Sequence, residues 1–117
     1  MRADEYDLLR RAYEAFNRRD VDAVLAVMQP DVEWANGLEG GTVQGHDAVR
    51  AYWIRQWGVI DPHVEPRSFT EDASGRVLVD VHQTVRDLQG HAVGDRMVCH
   101  AYTFEQGLVR RMQIIER

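Results

Sequence analysis

The stretch YEAFNRRDVDAVLAVMQPDVEWANGLEGGTVQGHDAVRAYWIRQW (13–57) decides the fold. It reads as the end of one helix, a short second helix, a strand closing on Trp34-Ala35-Asn36, and a third helix. In the first helix, placed over about Ala3 to Arg18, Tyr6, Leu9, Tyr13 and Phe16 recur at helical spacing and form one apolar stripe. Asn17-Arg18-Arg19-Asp20 interrupts it, and Asp20 is a suitable N-cap for a second helix over Val21 to Met28. Val21, Val24, Leu25 and Met28 give that helix a buried face, and Pro30 is expected to stop it. Val32 to Asn36 alternates as a strand does. Gly37, Gly40 and Gly41 make a loop, and Gly45 opens helix three. There Val49, Tyr52, Trp53, Gln56 and Trp57 share a face, and Asp61-Pro62 closes this half.

Everything beyond reads as long antiparallel strands. His63 to Glu71 is one, with Pro66 pointing to an edge or bulged position. Arg76 to Arg86 alternates, with Val77, Val79, Val81 and Val85 on one face and Leu78, Asp80, His82, Thr84 and Arg86 on the other. Leu88-Gln89-Gly90 turns, Ala92 to Glu105 returns, Gln106-Gly107 turns, and Leu108 to Glu116 is the last strand. Amphipathic helices followed by a strand-rich half predict one α+β domain over residues 1–117. In it three N-terminal helices gather on one face of a curved, mostly antiparallel sheet.

Composition excludes several roles. The chain has 117 residues, within the usual range for a single core, and a net charge of −5 without a basic cluster. Affinity for nucleic acid or an anionic membrane would lack its electrostatic source. The lone Cys99 has no internal disulfide partner and reads as a small buried strand residue in a reducing cytoplasm. The start, Met-Arg-Ala-Asp-Glu-Tyr-Asp, has no apolar signal core, so export is not expected. No run is long enough for a membrane span.

Residues 17–34, Asn-Arg-Arg-Asp-Val-Asp-Ala-Val-Leu-Ala-Val-Met-Gln-Pro-Asp-Val-Glu-Trp, resemble the helix-turn-helix-strand opening of SnoaL-like domains. These belong to the nuclear-transport-factor-like superfamily of ketosteroid isomerases and polyketide cyclases. Gly45 to Trp53 resembles that family's third helix, and Phe104 to Arg111 its last hairpin. The resemblance implies a cone-shaped roll that takes a ligand between the concave sheet face and the helices. It fixes fold more tightly than reaction, since the family includes isomerases, cyclases, hydrolases, dehydratases and non-catalytic subunits. The ketosteroid isomerase machinery does not carry over. Its base position falls on Asn36, whose amide accepts no proton at neutral pH. Its protonated-acid position falls on His100 and its phenol position on Ala12, with Tyr13 one step round the helix and expected to be misdirected. A polyketide cyclase resemblance is looser and places one acid/base side chain on a late strand, where His100 stands. The epoxide hydrolase pattern needs an Arg-x-Asp pair on a strand, which this sequence does not offer, although Asn36 imitates its water-holding amide.

From the residues alone, the constellation that stands out is Asp80, His82 and His100. Asp80 and His82 share a strand face; whether His100 joins them depends on the hairpin register. A two-residue turn would pair His100 with Val79, away from His82. A three-residue loop would pair it with Leu78 and bring all three together. The family geometry favours convergence inside the cone, with Arg86 and Tyr102 on the same face. We therefore expect His100 as acid/base, with His82 and Asp80 assisting. Tyr13, Trp34, Asn36, Trp53, Trp57, Arg86 and Tyr102 are the expected ligand contacts. A metal held by these imidazoles and Asp80 is weighed and not expected, and no cofactor is expected. The opposite face, with Val77, Val79, Val81, Val85, Met97 and Cys99, would form an apolar convex surface that a homodimer covers. Two functional classes follow. One is a cofactor-independent isomerase, cyclase, lyase or hydrolase acting on a hydrophobic oxygenated small molecule. The other is a non-catalytic ligand-binding or dimeric accessory domain of the same shape.

Overall fold

The computed structural model describes residues 2–37 and 39–115. Helix α1 spans Arg2–Asn17 and α2 Val21–Leu25, and strand β1 runs Met28–Ala35. Then come β2 (Thr42–Gln44), α3 (His46–Trp57), β3 (Ile60–Glu71), β4 (Val77–Asp87), β5 (Ala92–Glu105) and β6 (Leu108–Ile115). The six strands form one sheet in the order β2-β1-β6-β5-β4-β3, antiparallel except where β1 runs parallel to β6. The α+β cone is thus as expected, with the helices on one side. Among the described residues, no helix is long and apolar enough to cross a membrane.

The helical stripes do what their spacing predicts. Leu9 and Tyr13 of α1 are buried, Tyr6 stacks on Phe69 of β3 at 5.2 Å, and Phe16 meets Trp53 of α3 edge-on at 5.4 Å. Asp20 caps α2 by accepting from the Ala23 amide at 3.2 Å.

Helix α2 is shorter than expected. It ends at Leu25, Met28 already opens β1, and Pro30 lies inside that strand rather than ending a helix. Pro30 falls where the β1–β6 register skips between Met28 and Glu33, so its missing N–H interrupts no paired position. Asp61-Pro62 likewise sits within β3, which begins at Ile60. As the outermost strand, β3 tolerates both Pro62 and Pro66, and its register slips between Pro66 and Ser68. The expected end of the last strand, Glu116, lies outside the described residues.

The faces of the sheet are the main correction. Val77, Val79 and Val81 are fully buried beneath the helices. They are not a convex patch, because a sheet covered on one side turns its apolar row toward the cover. The outer face carries Leu78, Asp80, His82 and Thr84 of β4 opposite Ala101, Cys99, Met97 and Asp95 of β5. Cys99 is buried there by its neighbours, whereas Met97 is exposed. With the valines inside, the apolar surface expected to drive a homodimer through the convex face is not formed.

One bulge sets the register. The β4–β5 loop is Leu88 to Gly90, closed by the Asp87 N–H donating to the His91 carbonyl at 2.9 Å. The Asp87 carboxylate also accepts the Gln89 and His91 amides. Arg86 then faces Ala92, but Val85 faces Gly94, so Val93 is an extra residue in β5. The three-residue loop is present, yet the bulge moves His100 opposite Val79 instead of Leu78.

Candidate functional site

A cavity of about 340 Å³ opens between the concave face and the helices, within the range of small-molecule sites. Its wall is mostly apolar: Leu9 and Phe16 of α1, Met28 and Trp34 of β1, Trp53 of α3, and Val98 and Met112 across the sheet. Trp34 meets Trp53 edge-on at 5.4 Å, forming one aromatic side.

Into this wall the fold sets a hydrogen-bonded chain of three side chains. Tyr102, opposite Val77 on β5, donates its hydroxyl to the Tyr13 hydroxyl at 2.7 Å. Tyr13, on α1, lies 2.8 Å from Nδ1 of His100, and their rings stack nearly parallel at 6.0 Å. All three residues line the cavity. Tyr13 is therefore aimed into the cone rather than misdirected.

The direction of this chain follows from satisfying its protons. Tyr102 is 3% exposed and Tyr13 6%. With Tyr102 donating to Tyr13, the Tyr13 proton is left for Nδ1, and His100 carries its own proton on Nε2. The reverse order would leave the buried Tyr102 hydroxyl proton without a partner among the described residues, which costs about 1–3 kcal/mol. Burial lowers the His100 pKa to about 4 and so keeps the ring neutral. Burial also raises both phenols, Tyr13 further through its neighbour Tyr102. The ensemble is uncharged at neutral pH and offers an Nε2–H donor. That nitrogen has no partner among the described residues.

The expected partners of His100 are elsewhere. Asp80 and His82 point from the outer face. Ser68 donates to Asp80 at 2.8 Å, and His82 Nε2 lies 2.8 Å from Asp95 with Arg67 3.2 Å from its Nδ1. The expectation that they converge with His100 is overturned by the Val93 bulge, which also separates the three as metal ligands. Arg86 is exposed at the far end of the outer face, opposite Ala92 and Asp61, and does not line the cavity.

Tyr13, Trp34, Trp53 and Tyr102 do line it; Asn36 and Trp57 do not. Asn36 is buried, but its side chain organises the β1–β2 loop. Its Oδ1 accepts the Glu39 amide at 2.7 Å, and its Nδ2 donates to the Glu39 carboxylate. That bond, together with Arg55, lowers the Glu39 pKa. Trp57 packs behind the wall against Phe16 and Trp53, with the Arg19 guanidinium 5.0 Å over its ring.

Sequence reasoning missed a second polar group in the wall. Gln56 of α3 is 9% exposed and donates to the Tyr52 hydroxyl at 3.2 Å, which also accepts the Gly37 amide at 3.1 Å. Both side chains line the cavity. The available signal was an amide within the apolar stripe of helix three. Gln83 of β4 and Arg96 of β5, directly opposite each other, line the outer part.

A SnoaL-like domain model matches residues 9–112. No curated protein matches the chain. Among solved structures, TerC co-crystallised with polyporic acid is 29% identical, with 97% of this chain and 92% of that one covered and a TM-score of 0.83. An NTF2-like protein of unknown function from Burkholderia pseudomallei is 30% identical, with 97% and 91% covered and a TM-score of 0.83. RV0760c from Mycobacterium tuberculosis, in complex with estradiol-17beta-hemisuccinate, shares the fold at 14% identity, with 97% and 94% covered and a TM-score of 0.80. The match over nearly the whole cone, including the helix bearing Tyr13 and the strand bearing His100, makes this chain a member of the SnoaL-like domain family.

Proposed function

We propose that the cone binds a hydrophobic, oxygenated small molecule and that His100 hydrogen-bonds its carbonyl or hydroxyl oxygen through Nε2–H. The supporting observation is the Tyr102–Tyr13–His100 chain, which ends on an apolar cavity with one donor unspent. A neutral imidazole held in one tautomer polarises a carbonyl and stabilises charge that develops on its oxygen. In an enolisation or aldol closure the Nε2–H would donate a hydrogen bond to the oxygen on which charge develops, with the α-proton passing to water and no cofactor in the step. The polyporic acid in TerC and the steroid ester in RV0760c are ligands of the size and character this reading requires.

One observation favours binding without turnover as the second reading. Asp95 is the only carboxylic residue among the described lining residues, and its carboxylate is engaged by His82 on the outer face. The cavity supplies an acid more readily than a base.

Titrating polycyclic ketones while following Trp34 and Trp53 fluorescence tests the binding. The same series with His100→Ala tests the donor: affinity for the ketone should fall about tenfold, with affinity for the matching hydrocarbon unchanged. Equal affinity of both proteins for the ketone would refute the role of His100. Product formation from a β-polyketone, lost in His100→Ala, would decide for catalysis; ligand binding without product would decide for the second reading.

A further inference from the structure

Among the described residues, Arg96 is the one arginine that lines the cavity, and none of their carboxylates pairs with it. Every positive side chain here is an arginine, since the sequence has no lysine. Most of them sit against a carboxylate: Arg19 on Asp61, Arg50 on Asp22, Arg55 on Glu39, Arg76 on Asp72 and Arg111 on Glu33 are examples. Arg96 has no carboxylate within reach and makes no hydrogen bond among the described residues. Its neighbour in sequence, Asp95, points to the other face and is engaged by His82.

Its position is set by the same bulge that places His100. Once Val93 is inserted, Gly94, Arg96, Val98, His100 and Tyr102 alternate along the concave face of β5, and all five line the cavity. Arg96 and His100 are four residues apart, which at about 3.3 Å per residue puts their backbones roughly 13 Å apart. His100 lies deep and Arg96 is exposed at the mouth, with the Gln83 amide directly across from it.

We infer that the ligand is an apolar body with an acidic oxygen group, the body lying between the aromatic wall and His100 and the anion bound by Arg96 at the mouth. This rests on the proposal that the cavity is a ligand site. A guanidinium suits the role, because its planar fork pairs with two oxygens of one anion and it stays charged at all relevant pH. At a half-wet mouth such a pair contributes modestly to affinity but fixes which end of the ligand enters first.

Two fluorescent probes with the same aromatic body separate the claims: anilinonaphthalene sulfonate, which is anionic, and phenylnaphthylamine, which is not. Each is titrated into the wild type, Arg96→Gln and Arg86→Gln, with quenching of tryptophan emission registering occupancy. The expected result is that Arg96→Gln weakens the sulfonate about fivefold and leaves the neutral probe unchanged. Arg86→Gln, on the same hairpin but the outer face, should alter neither. Added salt should weaken the sulfonate in the wild type and much less in Arg96→Gln. Equal changes for both probes in Arg96→Gln, no change for either, or the same effect from Arg86→Gln would overturn the anion anchor. Binding of the neutral probe in those cases would leave the cavity reading standing. Failure of both probes to bind the wild type would remove the cavity reading and the anchor together.

Discussion

Strands β4 and β5 carry two histidines, one on each side of a single layer of backbone, and the two live in opposite surroundings. His82, on the outer face, lies between Asp95 and Arg67 in contact with water. His100, on the inner face, touches a phenol and an apolar void, with burial lowering its pKa to about 4. Residue type alone ranks them equally, and the carboxylate beside His82 even favours it as the acid/base pair. Enclosure reverses the ranking. An imidazole held neutral in one tautomer at a cavity wall has a directed donor, while one in a solvated ion network has only a place on the surface.

The sharpest way to break this contrast is to exchange the character of adjacent residues. Val79→Asp puts a carboxylate where exposure is 0% and should unfold the domain, a loss above about 4 kcal/mol in urea denaturation. Asp80→Val, one residue along, should leave the protein folded with a change within about 1 kcal/mol. A folded, cooperative Val79→Asp protein would mean that the inner face is not the packed one.

Next in size is the response to acid. The folded protein resists protonating His100 until about pH 4, whereas the unfolded chain takes up that proton near pH 6.5. Between those values the unfolded state binds more protons, so stability falls as the pH drops through this window and levels off below it. The loss is at most about 3 kcal/mol, less where cavity water solvates the ring. His100→Gln should remove this limb of a thermal-melt series and His82→Gln should leave it in place.

Tyr13→Phe should cost about 1–3 kcal/mol, because it strands the Tyr102 donor and removes the proton given to Nδ1. Imidazole nitrogen shifts in NMR would then show His100 no longer fixed as the Nε2–H tautomer. The smallest effect belongs to His82→Ala, expected to cost under about 1 kcal/mol in the same denaturation assay, since its partners are exposed.

Much of this could be read in advance. The stripe Tyr6, Leu9, Tyr13 and Phe16, the Asp20 cap, the slipped register near Pro66 and the two late hairpins were all written in spacing and turn chemistry. The inner and outer faces of β4 are legible too, since an apolar row seeks its cover and Val77, Val79 and Val81 form such a row. What was not legible is Val93. A single inserted residue carries no propensity signal of its own, yet it turns every later side chain of β5 to the opposite face. Gln56 stands in the sequence as one member of the stripe of helix three, and nothing there shows that its amide pairs with the Tyr52 hydroxyl at the cavity wall. Asn36 misled for the opposite reason: the position fits a ligand contact, but Glu39 already satisfies its amide.

The parallel seam between β1 and β6 has a consequence for how the domain is made. Trp34 sits beside Met112, so the first wall of the cone waits for the last strand in the order of synthesis. Until β6 leaves the ribosome, β1 lacks one of its two sheet neighbours, and the edge that carries Trp34 stays open to misplaced contacts. Pairing so remote in sequence raises contact order and slows closure. A truncation or ribosomal stall short of that segment would thus expose the same greasy lining that the finished fold encloses.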